Sequence, residues 1–197
     1  MSGSYASAEK LASSREATYQ NVLETLRLLP FPQNTTRVNV RPEGESYVQS
    51  ANVGLTTMRR RQPCVSSLVS KCPSLVRMLA DFVLMDDHEF EYTSVTLNKN
   101  YAANAHRDSS HENGNARIIA LGEFEGGELW VEDKTGNEII EVNGEKVSGK
   151  LVDIKNKWYD FDARKLHAAK PFVGERFSLV YFTHDARVDN DKNHDLL

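Results

Sequence analysis

The chain has 197 residues, 40% of them hydrophobic, with a formal net charge of −4 and a sequence pI near 5.9. That length supports one well-buried core and is short for two ordinary enzyme domains, so a single domain over 1–197 is expected. The charge excludes a protein held to nucleic acid by its overall field, and any such contact must come from local patches.

The N-terminal stretch Met1-Ser-Gly-Ser-Tyr-Ala-Ser-Ala has no basic segment followed by an apolar one, and eighteen apolar residues never run together. This points to an intracellular protein, nuclear if the source is eukaryotic and otherwise cytoplasmic. Tyr19, Val22, Leu23 and Leu26 follow helical spacing and predict an amphipathic helix that Pro30 and Pro32 end. Cys64 and Cys72 make neither a CxxC nor a Cys/His metal pattern and read as two unpaired thiols. Leu75, Met78, Leu79 and Phe82 repeat the helical spacing behind Pro73, a favourable first-turn residue.

From Tyr92 the texture changes to short runs rich in Val, Ile, Thr, Phe and Tyr between turn residues. Strands are predicted at Tyr92 to Leu97, Arg117 to Glu123, Glu128 to Glu132, Glu138 to Val142, Lys150 to Ile154, Trp158 to Phe161 and Arg176 to Thr183. Gly126-Gly127, Thr135-Gly136-Asn137 and Asn143-Gly144 are turns, the last a strong hairpin signal. The expected class is α+β, mainly β: residues 1–90 form a helical and β support, 91–184 an antiparallel core. The polar tail 185–197 is expected to be partly disordered.

Within this frame, His106-Arg107-Asp108 places an imidazole and a carboxylate two residues apart, on one face if the segment is a strand. Alone, such a pair is common. His167 adds a third ligand candidate, and it precedes an Arg176-x-Ser178 pair by nine residues, with Gly174 available to turn the chain between them. Two neutral imidazoles and one carboxylate can hold one face of Fe(II) and leave positions open for a cosubstrate and dioxygen. 2-Oxoglutarate would take two of these. Its far carboxylate then needs a permanently charged, bidentate partner, which Arg176 supplies, with Ser178 adding a hydrogen bond. Arg176 in a structural ion pair and His167 in a core hydrogen bond are the bland alternatives. His111 and His184 are further candidates for the third ligand, His111 more plausibly as a pocket residue. Ser109 and Ser110 beside histidine and aspartate would suit a hydrolase, but no GxSxG elbow occurs.

Two stretches resemble the TET/JBP family of 5-methylpyrimidine dioxygenases, a branch of the Fe(II)/2-oxoglutarate oxygenases. The first is Ala105-His-Arg-Asp-Ser-Ser-His-Glu-Asn113-Gly114. The second is His167-Ala-Ala-Lys-Pro171 followed by Arg176-Phe-Ser-Leu-Val-Tyr-Phe-Thr-His184. The resemblance covers roughly Tyr92 to His184 and implies a double-stranded β-helix core. It implies iron on His106, Asp108 and His167, and 2-oxoglutarate on Arg176 and Ser178, with Asn98 and Tyr101 as looser contacts to cosubstrate or substrate. It also implies a flipped base stacked on Phe182 and hydrogen-bonded by His184, next to His111, which stands where the family has a base-reading Asn or Asp. Arg176, Ser178, Val180, Phe182 and His184 share one strand face at period two. The loop after Asp108 is one residue shorter than in animal TET proteins, and their cysteine-rich zinc region is missing. Gly126-Gly127-Glu128-Leu129 is similar to a turn in prolyl-hydroxylase-like oxygenases too.

The implied reaction couples decarboxylation of 2-oxoglutarate to succinate with oxidation of a methyl group, using dioxygen, on 5-methylcytosine or a related base in DNA. Arg59-Arg60-Arg61, Lys155, Lys157, Arg164 and Lys165 are the candidate phosphate contacts. Two other readings stand beside this one: a hydroxylase of a protein side chain or small metabolite on the same scaffold, and a catalytically silent metal-binding β-barrel.

Overall fold

The computed structural model describes residues 4–57, 62–108 and 111–185, the side chains of 111–113 excepted. Arg59-Arg60-Arg61, Ser109, Ser110 and the tail beyond Asp185 lie outside the described residues.

The support begins with helix α1 (Tyr5–Ser13), whose cap Ser4 accepts a hydrogen bond from the Ser7 N–H at 3.2 Å. Helix α2 (Tyr19–Leu28) is capped in the same way by Thr18 and closes at Leu29, ahead of Pro30, as its periodicity predicts. Strands β1 (Gln33–Asn34), β2 (Val48–Thr57) and β3 (Pro63–Val65) follow, then helices α3 (Ser67–Lys71) and α4 (Pro73–Leu84). Pro73 stands in the first turn of α4, where its missing N–H costs nothing. Glu9 of α1 accepts from the backbone N–H groups of Ser74 and Leu75, and these bonds oppose desolvation to hold its carboxyl below the ordinary range.

The second half supplies β4 (Ser94–Lys99), β5 (His111–Leu121), β6 (Phe124–Gly126), β7 (Leu129–Glu132), β8 (Glu138–Val142), β9 (Glu145–Val152), β10 (Tyr159–Asp162), β11 (His167–Ala169), β12 (Phe172–Gly174) and β13 (Phe177–His184). A large antiparallel sheet has the order β1-β2-β4-β13-β5-β10, with β3 on β2; β11-β7-β9-β8 forms a second sheet, and β12-β6 a third, two-stranded one. The curled sheets form a mainly β, double-stranded β-helix with helices against its outer face. Asn143 and Gly144 both have positive φ (53° and 82°), as a two-residue turn between β8 and β9 requires. Cys64 and Cys72 are free, as expected. No helix among the described residues is long and apolar enough to cross a membrane.

Strand alternation sorts the large sheet into two faces. Val53, Val95, Leu97, Ile119, Leu121, Phe177, Leu179 and Tyr181 pack with Val22, Leu26, Leu75, Leu79 and Phe82 of the helices, all buried. Each large side chain buried there contributes about 1.5–3 kcal/mol. The Tyr181 hydroxyl donates to the Leu79 carbonyl at 2.9 Å and ties sheet to helix. The opposite face, with Ala116, Ile118, Ala120 and Phe182, meets Phe124, Leu129, Val131 and Ile154 in a smaller interior cluster.

Several expectations needed revision. The ten-residue β2 was not foreseen, nor were α1, α3 and the short strands β1, β3, β6, β11 and β12. β5 starts at His111 rather than Arg117, because Phe182 and His184 extend the ladder back to Ala116 and His111. β9 runs 145–152 instead of 150–154, since its first half pairs with β8. The 92–97, 158–161 and 176–183 strands each shift toward the C-terminus, to 94–99, 159–162 and 177–184. Arg176 thus stands just before β13, where its backbone exchanges bonds with Asn100.

Candidate active site

The segment carrying His106 and Asp108 is not a strand of any of the three sheets, so the strand geometry considered for it does not hold. It runs beside β11 through isolated bonds. His106 and His167 exchange backbone hydrogen bonds at 3.0 Å each way, Ala169 N–H donates to Ala103 O at 3.0 Å, and Asp108 N–H donates to Ala163 O at 2.9 Å. These bonds bring the three predicted ligands together from a sequence distance of sixty residues.

His106 Nε2 lies 3.7 Å from Asp108 Oδ1, and His167 Nε2 lies 3.7 Å from Asp108 Oδ2. The three ligand atoms all lie within 4.8 Å of one another. Each ring's Nδ1 is set against a backbone carbonyl, His106 with Asn104 O at 2.7 Å and His167 with Lys165 O at 2.9 Å. A carbonyl only accepts, so Nδ1 carries a hydrogen and each ring, in its neutral form, turns an Nε2 lone pair toward Asp108. Desolvation lowers the His106 pKa despite the opposing pull of Asp108, which keeps that ring neutral at pH 7. Two neutral imidazoles and one carboxylate are a donor set that fits a divalent iron.

The triad lines a cavity of about 380 Å3 together with Arg176, Ser178, Asn98, Tyr101, Phe182 and His184. Register explains the grouping. Ser178 lies opposite Asn98 on β4 and Ala120 on β5, Val180 opposite Thr96 and Ile118, Phe182 opposite Ser94 and Ala116. The even-numbered residues of β13 face inward while the odd ones pack on the helices. Asn98 Nδ2 donates to Ser178 Oγ at 3.2 Å, and the Tyr101 hydroxyl donates to Asn98 Oδ1. Burial raises the Tyr101 pKa, so the phenol stays protonated and remains a donor.

Arg176 is the most telling residue. It is 3% exposed, and its Nη2 donates to Gly127 O at 3.1 Å, while its buried Nε has no hydrogen-bond partner. Among the described residues no carboxylate is paired with it, so the structural ion pair weighed above is not formed there. Phe124 and Phe172 lie under the guanidinium at 5.6 and 5.5 Å. Burial drops its pKa from the ordinary arginine range to about 10, which still leaves it charged at pH 7. A buried, incompletely bonded guanidinium at a cavity wall fits an anion, and a carboxylate suits its planar fork.

Phe182 and His184 both line the cavity. Their rings are 6.2 Å apart, and His184 Nδ1 meets Asp185 Oδ1 at 2.9 Å. The backbone of His111 pairs with that of His184, while its side chain lies outside the described residues. The expected phosphate contacts look different in place. Lys157 bonds Asp153, Arg164 bonds Asp162, and Lys155 donates to the Phe124 carbonyl. Lys165 adjoins the site through its carbonyl, which faces His167.

One wall was missed altogether: Asn34, Thr36, Arg37 and Asn39, with Asn52 and Thr56 of β2. They come from the half of the chain without motifs. The only signal was polar residues at every second position of β2, where Asn52 and Thr56 flank apolar Val53 and Leu55 and line the cavity.

No protein-family model and no curated protein matches this sequence. Among solved structures the chain is similar to an oxidoreductase of the 2OG-Fe(II) oxygenase family from Burkholderia pseudomallei. The two are 16% identical, 92% of this chain and 90% of that one are covered, and the TM-score is 0.52. It is also similar to NgTET1 in complex with 5mC DNA, at 14% identity, with 70% and 61% covered and a TM-score of 0.42. A third likeness is to a bsmA homolog from Methylobium petroleophilum, at 11% identity, with 91% and 86% covered and a TM-score of 0.43. The first of these likenesses shows that the chain has the fold of a 2OG-Fe(II) oxygenase.

Proposed function

We infer that this protein is an Fe(II)- and 2-oxoglutarate-dependent oxygenase that oxidises the methyl group of 5-methylcytosine or a related 5-methylpyrimidine. The observation that carries the oxygenase reading is Arg176: a buried guanidinium, unpaired among the described residues, on the same cavity as two Nε2 lone pairs and a carboxylate. His106, Asp108 and His167 would hold the iron, and Arg176 with Ser178 would hold the far carboxylate of 2-oxoglutarate. When bound, iron and cosubstrate supply the activation of dioxygen. The chain's own part is to bind and aim. The Nδ1 bonds of His106 and His167 keep both rings in the ligating tautomer. Asn98 on the neighbouring strand, itself held by the Tyr101 hydroxyl, orients Ser178, and Ile118, Val180 and Phe161 give the cavity an apolar lining. Phe182 offers a stacking face and His184 a polar tip beside it, which suits a pyrimidine ring.

A polynucleotide as carrier of that base is the reading drawn from the motif resemblance. The pairing of Lys157 and Arg164 with their own carboxylates favours a second reading, a small-molecule substrate, because a duplex needs cations free to meet its phosphates. The experiment is to load the protein with iron and 2-oxoglutarate without oxygen, admit oxygen, and offer DNA containing 5-methylcytosine. Succinate formed only with methylated DNA, together with a hydroxymethyl nucleoside, supports the DNA reading. Succinate without any nucleoside change refutes it, and no succinate with any substrate favours a silent binding module.

A further inference from the structure

Arg37 enters the cavity from the segment between β1 and β2. Asn34 Oδ1 accepts from the backbone N–H of Thr36 at 3.0 Å and of Arg37 at 3.3 Å, a local turn that fixes where the Arg37 side chain departs. Its Nη1 donates to Asn98 Oδ1 at 3.2 Å and to the Tyr101 hydroxyl at 3.4 Å, both neutral acceptors. Among the described residues no carboxylate is paired with it. By contrast Arg107, on the same cavity, is neutralised by Glu132 at 2.7 Å.

The charges facing the cavity therefore need an account. If the oxygenase reading holds, the divalent iron and the 2-oxoglutarate dianion cancel, and Asp108 offsets one guanidinium. One positive charge is left over. Arg176, almost fully buried, would be committed to the far carboxylate, which leaves Arg37 as the remaining cation. Arg37 is only half-buried and lines the cavity together with the hydrogen-bonding side chains Asn34, Thr36 and Asn39.

We propose that Arg37 binds an oxyanion carried by the substrate, so that the substrate is a small molecule bearing a phosphate or carboxylate group. This rests on the oxygenase reading and narrows its substrate class. A neutral nucleoside leaves the surplus charge unmet in a partly desolvated site, and a polynucleotide needs a cationic track outside the cavity rather than one cation within it.

The test has a binding arm and a turnover arm. Protein loaded with Mn(II) and 2-oxoglutarate under nitrogen is titrated calorimetrically with inorganic phosphate and, separately, with acetate. Whichever binds identifies the oxyanion. In Arg37→Gln that affinity falls at least tenfold, Arg37→Lys recovers part of it, and 2-oxoglutarate affinity, read in the same titrations, falls by less than the anion affinity. The proposal is overturned if neither anion binds, if Arg37→Gln binds it equally well, or if the variant weakens 2-oxoglutarate instead. In the turnover arm, 5-methyl-2′-deoxycytidine 5′-monophosphate is compared with its nucleoside and with methylated duplex. Preference for the monophosphate that collapses in Arg37→Gln supports the proposal, and preference for the duplex or the nucleoside overturns it. Anion binding at Arg37 with no base oxidised in any form sinks the 5-methylpyrimidine reading while leaving the anion site standing.

Discussion

Replacing Arg176 by Met separates a functional buried charge from a structural one. The guanidinium is 3% exposed, its Nε is unbonded, and its pKa falls to about 10 because burial disfavours the charged form. At pH 7 that depression corresponds to roughly 3 kcal/mol held against folding, relieved only as pH rises through about 10 toward the unfolded value. Against this stand the Gly127 hydrogen bond and the contacts with Phe124 and Phe172, together worth about 1–3 kcal/mol. Methionine fills much of the same space without a charge, so Arg176→Met should be between neutral and about 2 kcal/mol more stable. For a chain of this size that is a rise in Tm of up to about 8 °C. At the same time the loss of a two-pronged charged contact should weaken 2-oxoglutarate by roughly 3 kcal/mol or more, at least ~100-fold. Scanning calorimetry with and without 2-oxoglutarate reads both effects: the ligand raises the Tm of the parent and leaves the variant unmoved. A variant destabilised by about 2 kcal/mol or more, or one that still gains Tm from 2-oxoglutarate, refutes the assignment of Arg176 as an anion site.

Asp108→Ala removes the carboxylate shared by both imidazoles, and iron retained after desalting, measured by plasma emission, should fall to background along with succinate formation; retained iron and turnover would place the metal elsewhere. Gly149→Ala would set a Cβ 2.3 Å from Cε2 of the fully buried Trp130, so urea unfolding should show a loss of about 1–3 kcal/mol, and an unchanged midpoint would contradict the packing. The His184 pKa is lowered by desolvation, partly opposed by Asp185. The folded state then binds fewer protons than the unfolded one, so stability falls as pH drops from about 6.5 toward the lower folded value. His184→Gln should flatten that part of the stability curve, as followed by thermal unfolding between pH 7.5 and 5; an identical slope in both proteins would count against it.

Local pattern carried much of this molecule. Helical periodicity located α2 and α4, Asn143-Gly144 located the β8–β9 turn, and period-two spacing put Ser178, Val180, Phe182 and His184 on one face of β13. In each case the residues that decide the geometry are neighbours in sequence. The His106, Asp108, His167 and Arg176 set was legible for a related reason: the chemistry of the residue types narrows what they can do together. What the sequence did not determine was the company those residues keep. β2 has Ser50, Asn52, Gly54 and Thr56 on its inward face, and neither their β-propensity nor their polarity marks a strand; pairing with β4 makes one of them. The two-residue spacing of His106 and Asp108 suits one face of a strand, yet the geometry of the segment comes from isolated hydrogen bonds to Ala163, His167 and Ala169. Only the tertiary structure showed Arg176 unpaired among its described neighbours and brought Arg37 to Asn98 and Tyr101. Burial and charge compensation depend on partners distant in sequence, 49 residues for Arg176 and Gly127 and 61 for Arg37 and Asn98, and no local spacing records them.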